Sequence, residues 1–304
     1  IEGDVFKILS STDELNLFEY LSSESGTTEL EKGPIEKITK NELNALADGS
    51  ITNEKGTFQY HQEIIMPEDA RVVHEIDSKQ SDDPKLYLKF AKDKPGYTYR
   101  LSFPTAIRSD IDSNNHFDDL DDKRISMLGK EFTIIKTLKD LGQIKLMTGA
   151  IRDSLEEGDS KTYTLNGVDY EVEAVIITDQ TPPQVKFRIN GETTDAMQEG
   201  DSFKLADRTE IGVKSLEVNE PGDVVGDIVE FYLGAEIVIF EDRDFETADW
   251  GGTLTVGGWE IENVGVNLVG TFPDGDVAIS KIELKWTPDK DYYIPTGGKL
   301  SDIM

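Results

Sequence analysis

The run Thr162-Tyr163-Thr164-Leu165-Asn166-Gly167-Val168-Asp169-Tyr170-Glu171-Val172-Glu173-Ala174-Val175-Ile176-Ile177 decides the fold class. Apolar and polar residues alternate on both sides of Asn166-Gly167, the period-two pattern of a strand with one buried face. Asn-Gly is the pair a two-residue type I′ hairpin prefers, because both positions need φ > 0. Working outward, Val185–Ile189 ends on a second Asn-Gly, Asn190-Gly191. Short β-rich runs recur at Phe132–Lys136, Ile144–Met147, Glu210–Val218, Ile228–Leu233 and Ala235–Phe240. Thr253–Ile261, Val264–Val269 and Val277–Trp286 continue the series. The expected fold is mainly β, with antiparallel sandwich- or barrel-like domains and a few short helices in the N-terminal region.

Helical signals are confined to the first fifty residues. Leu15, Leu17, Phe18 and Leu21 suggest a short amphipathic helix over 13–21, and Thr39-Lys40-Asn41-Glu42 reads as a capping box before Leu43 and Leu46, closed by Gly49. Two acidic stretches, 109–122 and 241–250, read as boundaries. They divide the chain into an N-terminal α+β region (1–122), a central antiparallel β domain (123–245) and a C-terminal β segment or small domain (246–304), which alternatively completes the first. Glu157-Gly158-Asp159-Ser160 returns 42 residues later as Glu199-Gly200-Asp201-Ser202. Leu155 and Met197 precede the two copies at equal offsets, which marks either a duplicated β unit or two similar turns.

The chain has 304 residues, with 31 Lys+Arg against 61 Asp+Glu, for a formal charge of −30. That surface repels phosphates, so no nucleic-acid partner is expected, and an anionic bilayer is disfavoured for the same reason. No apolar run is long enough for a membrane-spanning helix, so no membrane insertion is expected either. With no cysteine, disulfides and thiolate chemistry are excluded. Ile1 in place of Met suggests a processed or recombinant chain.

Catalytic motifs are scarce. The three histidines, His61, His74 and His116, form no zinc pattern, and none lies late enough to serve Ser160 or Ser202 in an esterase-like Gly-Asp-Ser. No phosphate-binding glycine loop occurs. The best ligand-like constellation is the acidic stretch from Asp110. Oxygen-bearing side chains fall at Asp110, Asp112, Asn114, Asp118 and Asp121, positions 1, 3, 5, 9 and 12 of a calcium loop. Asn115 stands at the sixth position where Gly is expected, the twelfth is Asp instead of the longer Glu, and no helices flank the loop; a solvated acidic linker is the alternative. Trp250, Trp259 and Trp286 with Tyr292-Tyr293 suggest either core or a sugar-stacking surface.

The run Leu120–Ile134, and within it Leu128-Gly129-Lys130-Glu131-Phe132-Thr133-Ile134, resembles a recurring Leu-Gly-Lys-x-aromatic-Thr-Ile run of archaeal S-layer proteins. Leu155–Leu165, Glu199–Val213 and Val229–Ala235 are similar to the turns and strands that follow it there. Ile282–Pro288 and Asp291–Pro295 look like a later tract, and Leu43–Thr52 with Tyr60-His61-Gln62 like the N-terminal half. The resemblance implies a secreted, non-enzymatic structural protein of the cell surface that assembles with itself into a two-dimensional coat. It also implies divalent cations, calcium above all, as partners. Members are often longer and glycosylated, yet this chain contains no Asn-x-Ser/Thr sequon. The expectation from a different class is an extracellular carbohydrate- or protein-binding β module, for which exposed, coplanar tryptophans would be the sign.

Overall fold

Asn166 and Gly167 take φ of 53° and 82°, as a type I′ turn requires, and the flanking strands pair with Tyr163 opposite Tyr170. The computed structural model describes residues 15–300, apart from 16, 25, 27–32, 34, 77–83, 220–225, 246, 248 and 249. In chain order its strands are β1 (Lys37–Ile38), β2 (Gly49–Asn53), β3 (Gly56–Ile65), β4 (Arg71–Ile76), β5 (Pro84–Phe90), β6 (Thr98–Asp110), β7 (Arg124–Met127), β8 (Lys130–Leu138), β9 (Gln143–Glu156) and β10 (Ser160–Leu165). There follow β11 (Val168–Thr178), β12 (Gln184–Ile189), β13 (Glu192–Thr193), β14 (Ser202–Lys204), β15 (Glu210–Glu217), β16 (Ile228–Glu241), β17 (Gly252–Val256), β18 (Trp259–Thr271), β19 (Asp276–Trp286) and β20 (Tyr292–Pro295). The fold is mainly β, and every pairing between strands is antiparallel.

The largest sheet runs β1-β3-β6-β19-β18-β17-β16-β9-β8-β7 and curls until its two ends approach each other. Hydrogen bonds from side chains close the seam. The backbone N–H of Ser126 donates to the Tyr60 hydroxyl (2.9 Å), and that of Leu128 donates to Gln62 Oε1 (3.0 Å). Gln62 is itself buried and anchored to the carbonyl of Ala47 (2.5 Å) and the hydroxyl of Tyr99 (2.7 Å). Inside the curl lies one apolar core drawing Ile51, Phe58, Leu101, Ile107, Ile134, Leu146, Phe240, Val266 and Ile279 from strands far apart in sequence. Phe117, Phe245 and Phe272 pack together at one end, with ring centroids 5.2–6.5 Å apart, and stopper it.

A second lobe hangs from the same sheet. Strands β9 and β16 pair along their whole lengths and run out of the curled sheet. There, with β15 and β14, they face the separate sheet β10-β11-β12-β13 across a second core that includes Leu155, Val172, Phe187, Ile211, Val229 and Phe231. In β16 the buried set changes parity, from Val229, Phe231 and Leu233 in the second core to Val238 and Phe240 in the first. The change falls at Gly234, whose φ of +70° interrupts the alternation of side chains. A small cluster of Ile135, Met147, Tyr232, Ala235 and Ile237 fills the junction between the lobes.

Both acidic stretches that suggested domain boundaries fall against the first core. Leu120 and Ile125 flank residue 122 and are buried in it, and Phe245 is one of its stopper residues. Residues 252–286 supply six of its members, Leu254, Val266, Leu268, Val277, Ile279 and Ile282, from β17, β18 and β19. The two Glu-Gly-Asp-Ser turns are equivalent in detail. Gly158 N–H donates to Ala174 O and Gly200 N–H to Val213 O, while Ala174 N–H returns to Asp159 O and Val213 N–H to Asp201 O. Leu155 and Met197 both enter the second core.

Three local expectations need correction. The described residues of 13–21 form no helix: Phe18 and Leu21 donate to the carbonyls of Val72 and Ala70, and pairing alongside β4 satisfies backbone groups that a helix would have used internally. The capping-box residues do meet, with Thr39 N–H donating to Glu42 Oε2 (2.7 Å), but the helix is a single 3-10 turn, Asn44–Leu46, before the chain enters β2. Thr253–Ile261 is a hairpin broken at Gly257-Gly258, φ 56° and 83°, instead of one strand.

Substituting Gly234→Ala forces a Cβ into positive φ and to 3.1 Å from Leu165 Cδ2. The expected loss is about 1–2 kcal/mol of unfolding free energy, read by urea titration. Phe231→Ala, which empties a fully buried site, is expected to cost about 3–5 kcal/mol in the same assay.

Candidate functional site

The acidic loop joins β6 to β7 and lies over the stoppered end of the curled sheet. Its fold is dictated from within. Asp112 Oδ1 accepts the N–H groups of Asn114 (2.8 Å) and His116 (2.7 Å), and the Asn114 amide reaches Asp112 Oδ2 at 3.3 Å. These backbone N–H groups, His116's first, hold the Asp112 carboxyl below the usual carboxylate range. Asn115, at the position where a calcium loop carries Gly, takes φ 64°, a conformation Asn tolerates. Phe117 plunges into the core while its N–H donates to Thr137 Oγ1 (2.7 Å).

The five candidate ligands have different surroundings. Asp110 Oδ1 turns to Lys55 Nζ at 2.5 Å, and that contact lowers its pKa. Asp112 and Asn114 stay together, folded onto the loop's own backbone. Asp118 opens the 3-10 turn Asp118–Leu120 and is exposed. Asp121 sits beyond that turn. Among the described residues no three His, Asp or Glu side chains converge closely enough to hold a metal ion. Sequence reading also passed over Asp119, the carboxylate that organises the loop from beneath: it is buried and accepts the N–H of Asp110 (2.8 Å), while its own N–H donates to Ser109 Oγ (2.9 Å).

What the fold does bring together is an acidic junction between the lobes. Asp121 Oδ1 is buried without a hydrogen-bond partner. Burial, aided by the charges of Glu199, Asp118, Asp122 and Asp112, pushes its pKa up to about 7. Glu199, on the second Glu-Gly-Asp-Ser turn, is also raised, by burial and by Asp122. Beside them Lys214 is 7% exposed and bridges Asp122 Oδ1 (3.0 Å) and Glu230 Oε2 (2.8 Å). Burial works against the Lys214 charge, but the hydrogen bonds it donates to Glu230 and Asp122 outweigh it and hold the ammonium above its ordinary pKa. Glu230 is shared in turn with Arg152. Lys145 donates to the carbonyl of Gly200 at 2.6 Å, and burial lowers its pKa. A chain of alternating charges thus crosses from the acidic loop to the second lobe. Glu199 lies 78 positions from Asp121 in sequence, and only the second turn's place in the fold sets it there.

The tryptophans form no common platform. Trp286 packs against Phe90 and Tyr292 with centroids 5.7 and 5.6 Å away, and Lys285 stands over Trp250 at 4.1 Å. Trp259 alone of the three is exposed, at 74%. Among the described residues no helix is long and apolar enough to cross a membrane. No family model matches the chain, and no curated protein and no solved structure is significantly similar to it.

Because the folded protein holds the Asp121 proton more tightly than the unfolded chain, where Asp titrates near ~3.9, this group favours folding most at low pH. The contribution is lost as pH rises through about 7. Asp121→Asn is therefore expected to raise the unfolding free energy at pH 8 by about 1–2 kcal/mol, after discounting for partial exposure, and to change it little at pH 4. Lys214→Met, which strands Asp122 and Glu230 without their shared cation, is expected to cost about 2–3 kcal/mol at pH 7 in the same denaturation series.

Proposed function

We propose that this protein is a structural, non-enzymatic subunit of an archaeal cell-surface layer, secreted and assembling with itself into a two-dimensional coat. The observation that carries the reading is the ribbon of β9 and β16, continuous through both lobes, which makes two β bodies one stiff tile. A coat needs such a body, since its order comes from repeating identical weak contacts at fixed angles, and bending between lobes would blur them. The sequence resemblance points the same way: Leu128–Ile134, its most distinctive run, forms the β7–β8 turn and the strand that enters the first core.

Charge sets the condition for assembly. At −30 per subunit, neighbours repel unless ions intervene. Screening shortens that repulsion to about 10 Å at 0.1 M salt, and divalent cations bridge carboxylates directly. Calcium acting at Asp110, Asp112, Asn114, Asp118 and Asp121 has to displace Lys55 from Asp110 and the loop amides from Asp112. In this reading the cation neutralises acidic surface across many subunits, with the loop as one contributor.

Negative-stain electron microscopy of the purified chain tests the reading. Ordered sheets are expected after dialysis into millimolar calcium and are expected to be absent in chelator at low ionic strength. Sheets that form equally well in chelator remove the cation requirement, and monodisperse particles under every condition overturn self-assembly.

A further inference from the structure

The curled sheet is stoppered with phenylalanine at one end and open at the other. There a cavity of about 970 Å³ is lined by Leu128, Phe132, Leu146, Val238, Leu254 and Val256. Beside it projects the β17–β18 hairpin. Val256 and Trp259 are cross-strand partners flanking the Gly257-Gly258 turn, so their side chains share one face of the hairpin, and Val256 faces the cavity. Trp259, 74% exposed, extends the apolar lining past the rim. The turn glycines have φ of 56° and 83°, the tight type I′ geometry, so the indole stands on a well-formed hairpin. An apolar knob and an apolar hole therefore lie next to each other on one chain.

We infer that this mouth and the Trp259 hairpin form a self-complementary patch through which two copies of the chain pair about a twofold axis, the indole of each entering the mouth of the other. Three observations select a second copy as the occupant. Knob and hole are adjacent, the arrangement an isologous contact needs, and they are present in equal numbers wherever the chain is. The charged residues lining the mouth, Lys130 and Glu236, are already paired with each other at 2.8 Å, so closing two rims together strands no charge there. Lastly, exposed indole is the kind of surface that concentrates binding energy at the centre of an interface. The patch is small beside a standard interface of ~800 Å² per partner, and −30 on each copy opposes approach, so the pairing is weak and strengthened by salt. As a contact within a lattice this inference rests on the coat reading, of which it names one edge; the pairing itself is tested in solution.

Sedimentation velocity of the full chain, over a concentration series in low salt and in ~1 M NaCl where the Debye length is ~3 Å, reads the pairing directly. The expected result is a dimer favoured by salt, with acrylamide quenching of tryptophan fluorescence falling as it forms. Trp259→Ser removes the knob from an exposed turn, and Asn44→Trp, at an exposed residue lining the mouth, obstructs the hole while leaving the knob. Each is expected to weaken the dimer at least tenfold, with far-UV circular dichroism and thermal unfolding unchanged as the control for folding. A chain that stays monomeric throughout, or variants that both pair as the unmodified chain does, overturn the inference. So does saturable binding of Nile red, a neutral apolar dye, to a chain that remains monomeric, which makes the mouth a small-molecule pocket. Microscopy of the same variants separates the two readings. Calcium-dependent sheets that survive Trp259→Ser leave the coat and remove this contact. Trp259-dependent dimers that never form sheets leave the contact and remove the coat.

Discussion

The antiparallel pairing of β9 with β16 is the constraint on which the rest of the structure depends. Each strand serves two cores in succession, giving Ile144, Leu146, Val238 and Phe240 to the first and Leu155, Val229, Phe231 and Leu233 to the second. A one-residue slip in this register would turn every one of those side chains to the wrong face in both lobes at once. The left-handed Gly234 and the junction cluster around Met147 and Tyr232 hold the crossing point where the buried set changes.

Electrostatics is organised around the same ribbon. Glu230 and Arg152 bridge it diagonally, Lys214 joins them from β15, and Asp122 brings in the acidic loop. The cations are outnumbered nearly two to one over the whole chain, yet here they are placed between carboxylates from different elements. Local pairing, with Lys214, Arg100 and Lys55 each set between two acids, lets a chain of this charge fold without dispersing it evenly. Asp121 and Glu199 are the exceptions: both are pressed into low-dielectric surroundings, where the proton is the partner that burial favours.

Local turn chemistry was readable from the sequence alone. Asn166-Gly167 and Asn190-Gly191 bend where their backbone preferences require, and the two Glu-Gly-Asp-Ser segments are equivalent turns in space as in sequence. The antiparallel β class follows from alternation around them. Less legible was what tertiary pairing decides. Residues 148–156 carry Gly149, Ala150, Asp153 and Ser154, poor strand formers, and they extend β9 because β16 lies beside them. The pattern at 13–21 suits a helix in isolation, but Phe18, Tyr20 and Leu21 are captured by the edge of β4. In the acidic loop, spacing named the residues but not their partners: Lys55 is 55 positions away from Asp110, and Glu199 arrives at Asp121 from another lobe.

The shared ribbon also fixes how load would travel. When the lobes are drawn apart along the strands, tension passes through the covalent backbones of β9 and β16, while the hydrogen bonds between those strands lie across the pull and bear little of it. Separating the lobes in that direction means extracting a strand from a core, which is a shearing failure of high strength. Twisting one lobe against the other is met by the side chains at the crossing, the Lys214 bridges and the hydrogen bond from Lys145 to the Gly200 carbonyl. The two-lobed body is therefore anisotropic, with covalent backbone resisting stretch and side-chain contacts at the crossing resisting torsion.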